Sequence, residues 1–163
     1  MFSNPLTAEY MRMDIIRREN ISRKKMRKDD NRPDEVSSIY HSKVWKEKVI
    51  NSRFLYVEPR NVVIGLSSDG FVPFKRSKHS IWPITIVFLN LPESIRTKPQ
   101  NLGLVGVIDG PNKPKNFQIF LHILVDELLD LYNNGIEVTD TSSSNRMFNI
   151  KAMLLFTVAD LQG

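Results

Sequence analysis

The sequence predicts an α/β fold made of a three-stranded antiparallel meander, a helix and then a parallel strand. Three short apolar runs rich in β-branched residues follow one another, and each ends at polar or turn-forming residues. A longer run with helical periodicity comes next, followed by a last apolar run. Short connections favour antiparallel neighbours, whereas a strand–helix–strand crossover brings in a parallel one.

The three strands of the meander are predicted from composition and from the turns that bound them. The first covers Asn61–Asp69, the second Ser80–Leu91 and the third Asn101–Asp109. Pro83 lies inside the second strand and has no amide donor, so we expect it near the strand's start or at an irregular position. The third strand runs into an Asp-Gly-Pro turn signal.

The clearest helix is predicted from the N-cap residue Asn116 to about Asn133, with Asn134 and Gly135 as its stop. Polar residues share one stripe at i, i+4 spacing, and apolar residues share the other. The polar stripe is Gln118, His122, Asp126 and Asp130. The predicted buried stripe is Phe117, Phe120, Leu121, Leu124, Leu128 and Leu131.

Two further segments follow the helix. Residues Ile136–Asp140 are predicted as a short extended piece, and Ile150–Asp160 as an apolar run for which strand and helix both stay open. This order of elements is that of the beginning of an RNase H-like sheet. Trp82 and Phe88 are predicted in the core, and two phenylalanines are predicted to pack beside the turn at Asp69. These are Phe71 and Phe74.

The chain has 163 residues and a formal net charge of +5, and the excess charge is confined to its first third. Residues 1–53 contain 13 Lys and Arg against 8 Asp and Glu, while residues 54–163 are balanced. We therefore divide the chain into a basic N-terminal arm with short helices, 1–53, and a globular domain, 54–163. Within the arm, apolar residues of 39–50 are spaced as in a short amphipathic helix.

The basic cluster of the arm predicts an anionic partner, with nucleic acid first. A nuclear localisation signal and a merely solvated face are the alternatives. Three cations after the Asp69 turn are candidates to guide a phosphate backbone. The predicted nucleic-acid-binding residues are Arg17, Arg18, Arg23, Lys24, Lys25, Arg27 and Lys28 in the arm, and Lys75, Arg76 and Lys78 after the turn.

Composition excludes several classes of protein and of site. Hydrophobic residues make up 41% and charged residues 25%, a balance typical of globular proteins. No apolar run reaches the roughly 20 residues that span a bilayer, so no membrane partner is expected. The absence of cysteine excludes disulfides and thiol nucleophiles, and the scattered His41, His79 and His122 do not predict a zinc site.

Two aspartates close predicted strands, Asp69 after the first and Asp160 after the last apolar run. If those strands lie side by side and in parallel, the two carboxylates could share divalent cations. Spacing alone does not select this pair, because an aspartate at a strand end is more often a turn former. Asp109 is interpreted in the same way, as part of an Asp-Gly-Pro turn.

Several segments in combination resemble the transposases of CACTA, or En/Spm, DNA transposons. The resemblance covers roughly Ile39–Asp160 and is densest between Leu66 and Leu131. The segments are IYHSKVWKE (39–47), GLSSDGFVPFK (65–75), SIWP (80–83), NLP (90–92), NLGLVGVIDGPNKP (101–114), IFLHILVDELLDLYNNGI (119–136) and KAMLLFTVAD (151–160).

The resemblance implies a catalytic region that uses three acidic residues, of which Asp69 matches the first and Asp160 the second. It implies cleavage and transfer of DNA strands at transposon ends with Mg²⁺ or Mn²⁺, in the nucleus. Residues 161–163 depart from the small Pro-Ala turn expected after the second acid, and the third acid is absent. We therefore expect a fragment or decayed copy that is inactive alone.

Two alternatives stay open beside the catalytic one. A non-catalytic remnant or domesticated protein would bind nucleic acid through the basic arm. A different RNase H-like nuclease would share only the sheet. Self-association into a homo-oligomer is compatible with each of them.

Overall fold

The computed structural model describes Met11 and residues 38–75, 79–110, 116–141 and 146–159. The basic cluster between Arg17 and Lys28 lies outside these residues, as do Arg76, Lys78 and Asp160. The chain divides into two compact units. One is formed by 1–62 with 137–150, and the other by 63–136 with 151–163.

The second unit contains the predicted meander, which is confirmed. Strands β1 (Val62–Ser68), β2 (Ser80–Phe88) and β3 (Leu102–Gly110) pair in antiparallel fashion, β1 with β2 and β2 with β3. The β2–β3 register shifts between Ile84 and Thr85, so β3 carries one extra residue there. Alternate residues of the three strands form one buried face, as expected of a half-buried sheet. They are Ile64, Leu66, Ile84, Ile86 and Ile108.

The last apolar run is a strand, which resolves the choice left open by its composition. It is the sixth of the described strands along the chain, β6 (Ala152–Ala159). It lies beside β1 in a sheet with the strand order β3-β2-β1-β6. The sheet is mixed, so β6 runs parallel to β1. The α/β class and a parallel strand after the meander are thus confirmed.

The helices of the described residues are short except one. No helix in this part of the chain is long and apolar enough to cross a bilayer. The segment predicted as an amphipathic helix within 39–50 is helical, and it buries Trp45 and Val49. The helices are α1 (Lys43–Trp45), which continues as a π-turn (Lys46–Ile50), α2 (Phe54–Val57), α3 (Glu93–Arg96) and α4 (Phe117–Asn133), with 3₁₀ turns at Ile39–His41 and Pro99–Asn101.

Helix α4 has the predicted bounds, and its least exposed residues all belong to the predicted buried stripe, with Phe117, Leu121, Leu124 and Leu131 half-buried. Asn116 occupies the N-cap position without a side-chain capping bond, and Gly135 ends the helix region with a φ of 76°. Within α4, every residue of which is described, Leu128 alone is buried. Phe120, predicted to be buried, is exposed, since α4 carries apolar residues on more than one side. The predicted polar stripe is exposed.

The first unit contains a hairpin that the sequence did not predict in full. Strand β4 (Ile136–Asp140) is the predicted extended piece, and it pairs with β5 (Arg146–Ile150). Arg60 ties this hairpin to the segment before β1. Its guanidinium donates two 2.7 Å bonds to Glu58, lies 3.7 Å from the fully buried carboxylate of Asp140 and covers the ring of Phe148 at 3.6 Å.

The charge on Arg60 is secured by its surroundings. Hydrogen bonding to Glu58 raises the pKa of Arg60, against the lowering effect of burial, and the charge of Asp140 raises it further. The ion pair between Arg60 and the buried carboxylate of Asp140 joins the hairpin to the segment before β1 within the first unit.

Strand β6 approaches β1 closely at Gly65. A Cβ atom on Gly65 would lie 2.7 Å from Cζ of Phe156 and 3.0 Å from Cγ1 of Val87. The missing side chain thus lets the Phe156 ring lie directly on the backbone of β1. By contrast, a Cβ on Gly103 of β3 would meet nothing nearer than 3.5 Å.

We expect Gly65→Ala to destabilise the protein by about 1–3 kcal/mol, because the added methyl group overpacks the contact with Phe156. The measurement is urea unfolding followed by circular dichroism. Gly103→Ala is the matched control and should be neutral or slightly stabilising, because it restricts the unfolded chain without a clash. Adding Phe156→Leu to Gly65→Ala should recover part of the loss. Equal stability of the two alanine variants would contradict this packing.

Candidate active site at the end of β1

Asp69 directly follows the last residue of β1, and its side chain is exposed. Its backbone is fixed on both sides. Ser68 pairs with Ile84, and Phe71 pairs with Ile81 through two backbone hydrogen bonds of 3.0 and 2.9 Å. The number of residues between the two pairs is the same on both strands, so the register runs through the Asp69 turn without a bulge.

This register places Asp69 opposite Pro83. Phe71 and Ile81 form a hydrogen-bonded pair, in which each backbone N–H donates to the other residue's carbonyl. Such pairs recur at every second residue of an antiparallel ladder, so Asp69 and Pro83 occupy the next one. Pro83 has no N–H and cannot donate to the carbonyl of Asp69. The β1–β2 ladder is therefore interrupted at the candidate residue, although Pro83 lies well inside β2. This is the irregular position expected for it.

Gly70 and Trp82 fix the other side of the turn. A Cβ on Gly70 would lie 2.6 Å from three atoms of the Trp82 ring, so the indole lies against the backbone of the turn. Trp82 is half-buried, as is Phe88, and neither is in the buried core where we predicted them. The indole is better described as a support for the residue next to Asp69.

Asp109 is exposed and belongs to β3, where it pairs with Ile81 of β2. It does not stand in a separate turn. Two strand spacings, about 10 Å, separate β3 from β1. Asp109 also lies level with Phe71, two residues or about 6.6 Å beyond Asp69 along the strands, so the two backbones are about 12 Å apart and the carboxylates do not reach one ion at about 2–2.6 Å each.

The remaining predicted site residues are distributed as follows. Lys75 is described and exposed at the end of the segment after the turn. The other predicted nucleic-acid-binding residues and the second predicted acid lie outside the described residues, so their placement stays a prediction. Strand β6, which leads to Asp160 in the sequence, is described up to Ala159.

Metal ligation can be assessed only for the acid that is described. Among the described residues, no three His, Asp or Glu residues form a group that could hold a metal ion. The carboxylate of Asp69 is nonetheless an oxygen donor of the kind that Mg²⁺ and Mn²⁺ prefer. It is exposed at a strand end with a fixed backbone, which suits a donor that has to meet ligands from another strand.

Sequence analysis missed the features that position this site. The backbone at Gly65 is approached closely by the Phe156 ring, and the backbone at Gly70 by the Trp82 ring. An isolated glycine in a strand pattern is the sequence signal that could have predicted such contacts. The predicted packing of Phe71 and Phe74 beside the turn is wrong in one respect. Both side chains are exposed, Phe71 by 51% and Phe74 by 71%.

The fold defines an α/β protein with a mixed four-stranded sheet and an exposed aspartate at the end of one of its inner strands. The model of the transposase family tnp2 matches residues 35–163, which is most of the chain and includes the whole of the sheet. The chain therefore belongs to the tnp2 transposase family. No curated protein and no solved structure matches it.

Proposed function

We propose that this chain carries the first part of the catalytic region of a cut-and-paste DNA transposase of the CACTA, or En/Spm, kind. In this proposal the sheet is RNase H-like, and Asp69 and Asp160 are the first two acids of a DDE/D set. The ions are Mg²⁺ or Mn²⁺, the substrate is DNA at transposon ends, and the site of action is the nucleus. Membership of the tnp2 family supports the general reaction.

The observation that carries the proposal is the contact between Gly65 and Phe156 on neighbouring parallel strands. Asp69 is four residues beyond Gly65, and Asp160 is four residues beyond Phe156. Parallel strands advance at about 3.3 Å per residue and lie about 4.8 Å apart. If Gly65 and Phe156 lie opposite each other and β6 continues for one residue past Ala159, both acids stand at the same level and, by alternation, on the same face.

Two carboxylates so placed would hold ions between them and the scissile phosphate. Bound Mg²⁺ or Mn²⁺ would supply charge stabilisation for the oxygens of an in-line phosphoryl transfer. The attacking oxygen comes from water or from a DNA 3′-hydroxyl. It loses its proton and bonds to phosphorus as the P–O3′ bond breaks, which leaves a 3′-hydroxyl. The interrupted ladder opposite Pro83 would keep the Asp69 side open to this substrate.

We expect Mn²⁺ to broaden the backbone amide NMR signals of residues near both Asp69 and Asp160, because a shared ion lies within a few ångströms of both. Asp69→Asn should abolish the broadening in both segments, since it removes one of two ligands. The measurement is a titration of the isotopically labelled chain at sub-stoichiometric Mn²⁺. It reports metal binding even if the chain alone does not cleave DNA.

Asp109→Asn is the matched control, because Asp109 is also an exposed acid at one end of the same sheet. It should leave the broadening unchanged. Broadening around Asp69 without any around Asp160 would contradict a shared ion. Cleavage of transposon-end DNA by the isolated chain, if it is abolished by Asp69→Asn, would overturn the expectation that the chain is inactive alone.

We expect the basic arm to bind DNA through phosphates, which makes affinity salt-dependent. Replacing Lys24, Lys25, Arg27 and Lys28 together with Gln should lower the slope of log Kobs against log salt by about 3–4, at about 0.9 per phosphate contact on duplex DNA. Fluorescence anisotropy across a salt series measures the slope.

Replacing four exposed lysines outside the 17–28 cluster serves as the control for total charge. They are Lys43, Lys46, Lys48 and Lys98. This variant should keep most of the slope. An arm variant with an unchanged slope would leave the cluster as a localisation signal or a solvated face. If the arm variant lowers the slope of log Kobs against log salt but no metal binds at Asp69, the non-catalytic nucleic-acid-binding alternative would be favoured.

A further inference from the structure

The segment after Asp69 exposes two aromatic side chains that the catalytic proposal does not use. Phe71 is 51% exposed and Phe74 is 71% exposed. Isolated apolar side chains on a surface are ordinary, but two phenylalanines three residues apart, beside a candidate reaction centre, form a local apolar patch. We call Phe71, Phe74 and the adjacent Lys75 the aromatic step.

The first residue of the aromatic step, Phe71, is held at a fixed place relative to Asp69. The backbone of Phe71 is bonded in both directions to Ile81, and Gly70 is packed against the Trp82 ring. Pro73 precedes Phe74 and restricts the backbone further. By strand alternation, Phe71 shares a face of the sheet with Asp69. The Phe71 ring thus lies two residues beyond Asp69 on the same face of the sheet.

The charge of this segment is complementary to a nucleic acid. From Gly70 to Trp82 the sequence contains no Asp or Glu, whereas Lys75, Arg76 and Lys78 are cationic. Lys75 is exposed next to Phe74. Exposed aromatic rings beside cations are the combination with which proteins bind unpaired bases, because rings stack on bases while cations meet phosphates.

We propose that the aromatic step binds an unpaired DNA base next to the phosphate that Asp69 serves, with Phe74 as the stacking residue. The inference rests on the proposed function for the place of the scissile phosphate. It adds a specificity element, namely a preference for DNA whose bases are unstacked beside the cleavage position. Lys75 contacts the adjacent phosphate, and Phe71 extends the platform.

The test is binding of short DNA in EDTA, so that it does not depend on metal or on cleavage. The probes are a duplex with a three-nucleotide single-stranded end that contains 2-aminopurine, and the same duplex with a blunt end. We expect the wild-type chain to prefer the single-stranded end and to quench 2-aminopurine. Phe74→Ala should weaken that binding by about 5- to 150-fold, the range for loss of one stacked base.

Chemically matched variants separate stacking from other effects. Phe74→Trp should retain affinity and quenching, whereas Phe74→Leu, apolar but not aromatic, should lose both. Val72→Ala alters a neighbour that is 53% exposed, and Phe120→Ala removes a ring that is 47% exposed on α4, and both should bind like wild type. Lys75→Gln should lower the salt slope by about 0.7, and Phe74→Ala should leave the slope unchanged.

Three results would overturn the proposal: equal binding by Phe74→Leu and Phe74→Trp, a loss in Val72→Ala as large as in Phe74→Ala, or no preference for the single-stranded end. Self-association that is abolished by Phe74→Ala without any effect on DNA would assign the patch to protein contacts instead. Binding in EDTA does not require the metal site at Asp69, whereas the Mn²⁺ titration does. The Mn²⁺ titration therefore tests the metal site, and DNA binding in EDTA tests the aromatic step independently of it.

Discussion

The close packing of β6 on β1 is the constraint on which the account of this protein depends. Gly65 has no side chain, and the ring of Phe156 occupies the space that a Cβ would need. This contact brings β6 directly against β1, its neighbour in the sheet. The proposed alignment of Asp69 with Asp160 depends on this packing.

A second constraint acts across the other side of β1, where Pro83 faces Asp69. A proline inside a central strand would ordinarily cost a ladder hydrogen bond. Here the residue without an N–H donor lies opposite Asp69, directly after the last residue of β1, and pairing resumes at Phe71 and Ile81. The sheet thus keeps its register while releasing one residue from the ladder. Trp82 packing on Gly70 supports the same turn from the side.

The strands of the meander and the bounds of α4 were predictable because local composition decides them. β-branched runs bounded by turn residues predict strands, and Asn134-Gly135 predicts a helix end. Strand β5 (Arg146–Ile150) was not predicted, because it is short and mostly exposed and has no clear alternation. The least exposed side of α4 was predicted correctly except for Phe120, which is exposed because apolar residues occupy several faces of the helix and periodicity alone does not mark the edge of the covered side.

The candidate site was only partly predictable, for the same physical reason. Asp69 stands at the end of a strand that local signals define, so its position could be predicted, whereas its catalytic role is implied by the family resemblance and stays a prediction. Contacts between residues far apart in sequence leave no local trace, so neither Gly65 with Phe156 nor Arg60 with Asp140 could be read from spacing. The exposure of Phe74 likewise depends on what the rest of the fold covers.

The most direct test of the central claim uses the absence of cysteine from the chain. In the double variant Asp69→Cys with Asp160→Cys, the two thiols should form an intramolecular disulfide under mild oxidation, because neighbouring strands bring Cα atoms within the 4.4–6.8 Å range of such bonds. Asp109→Cys with Asp160→Cys should stay reduced. Mass spectrometry reports both. A disulfide in the second pair but not in the first would contradict the alignment of β1 with β6.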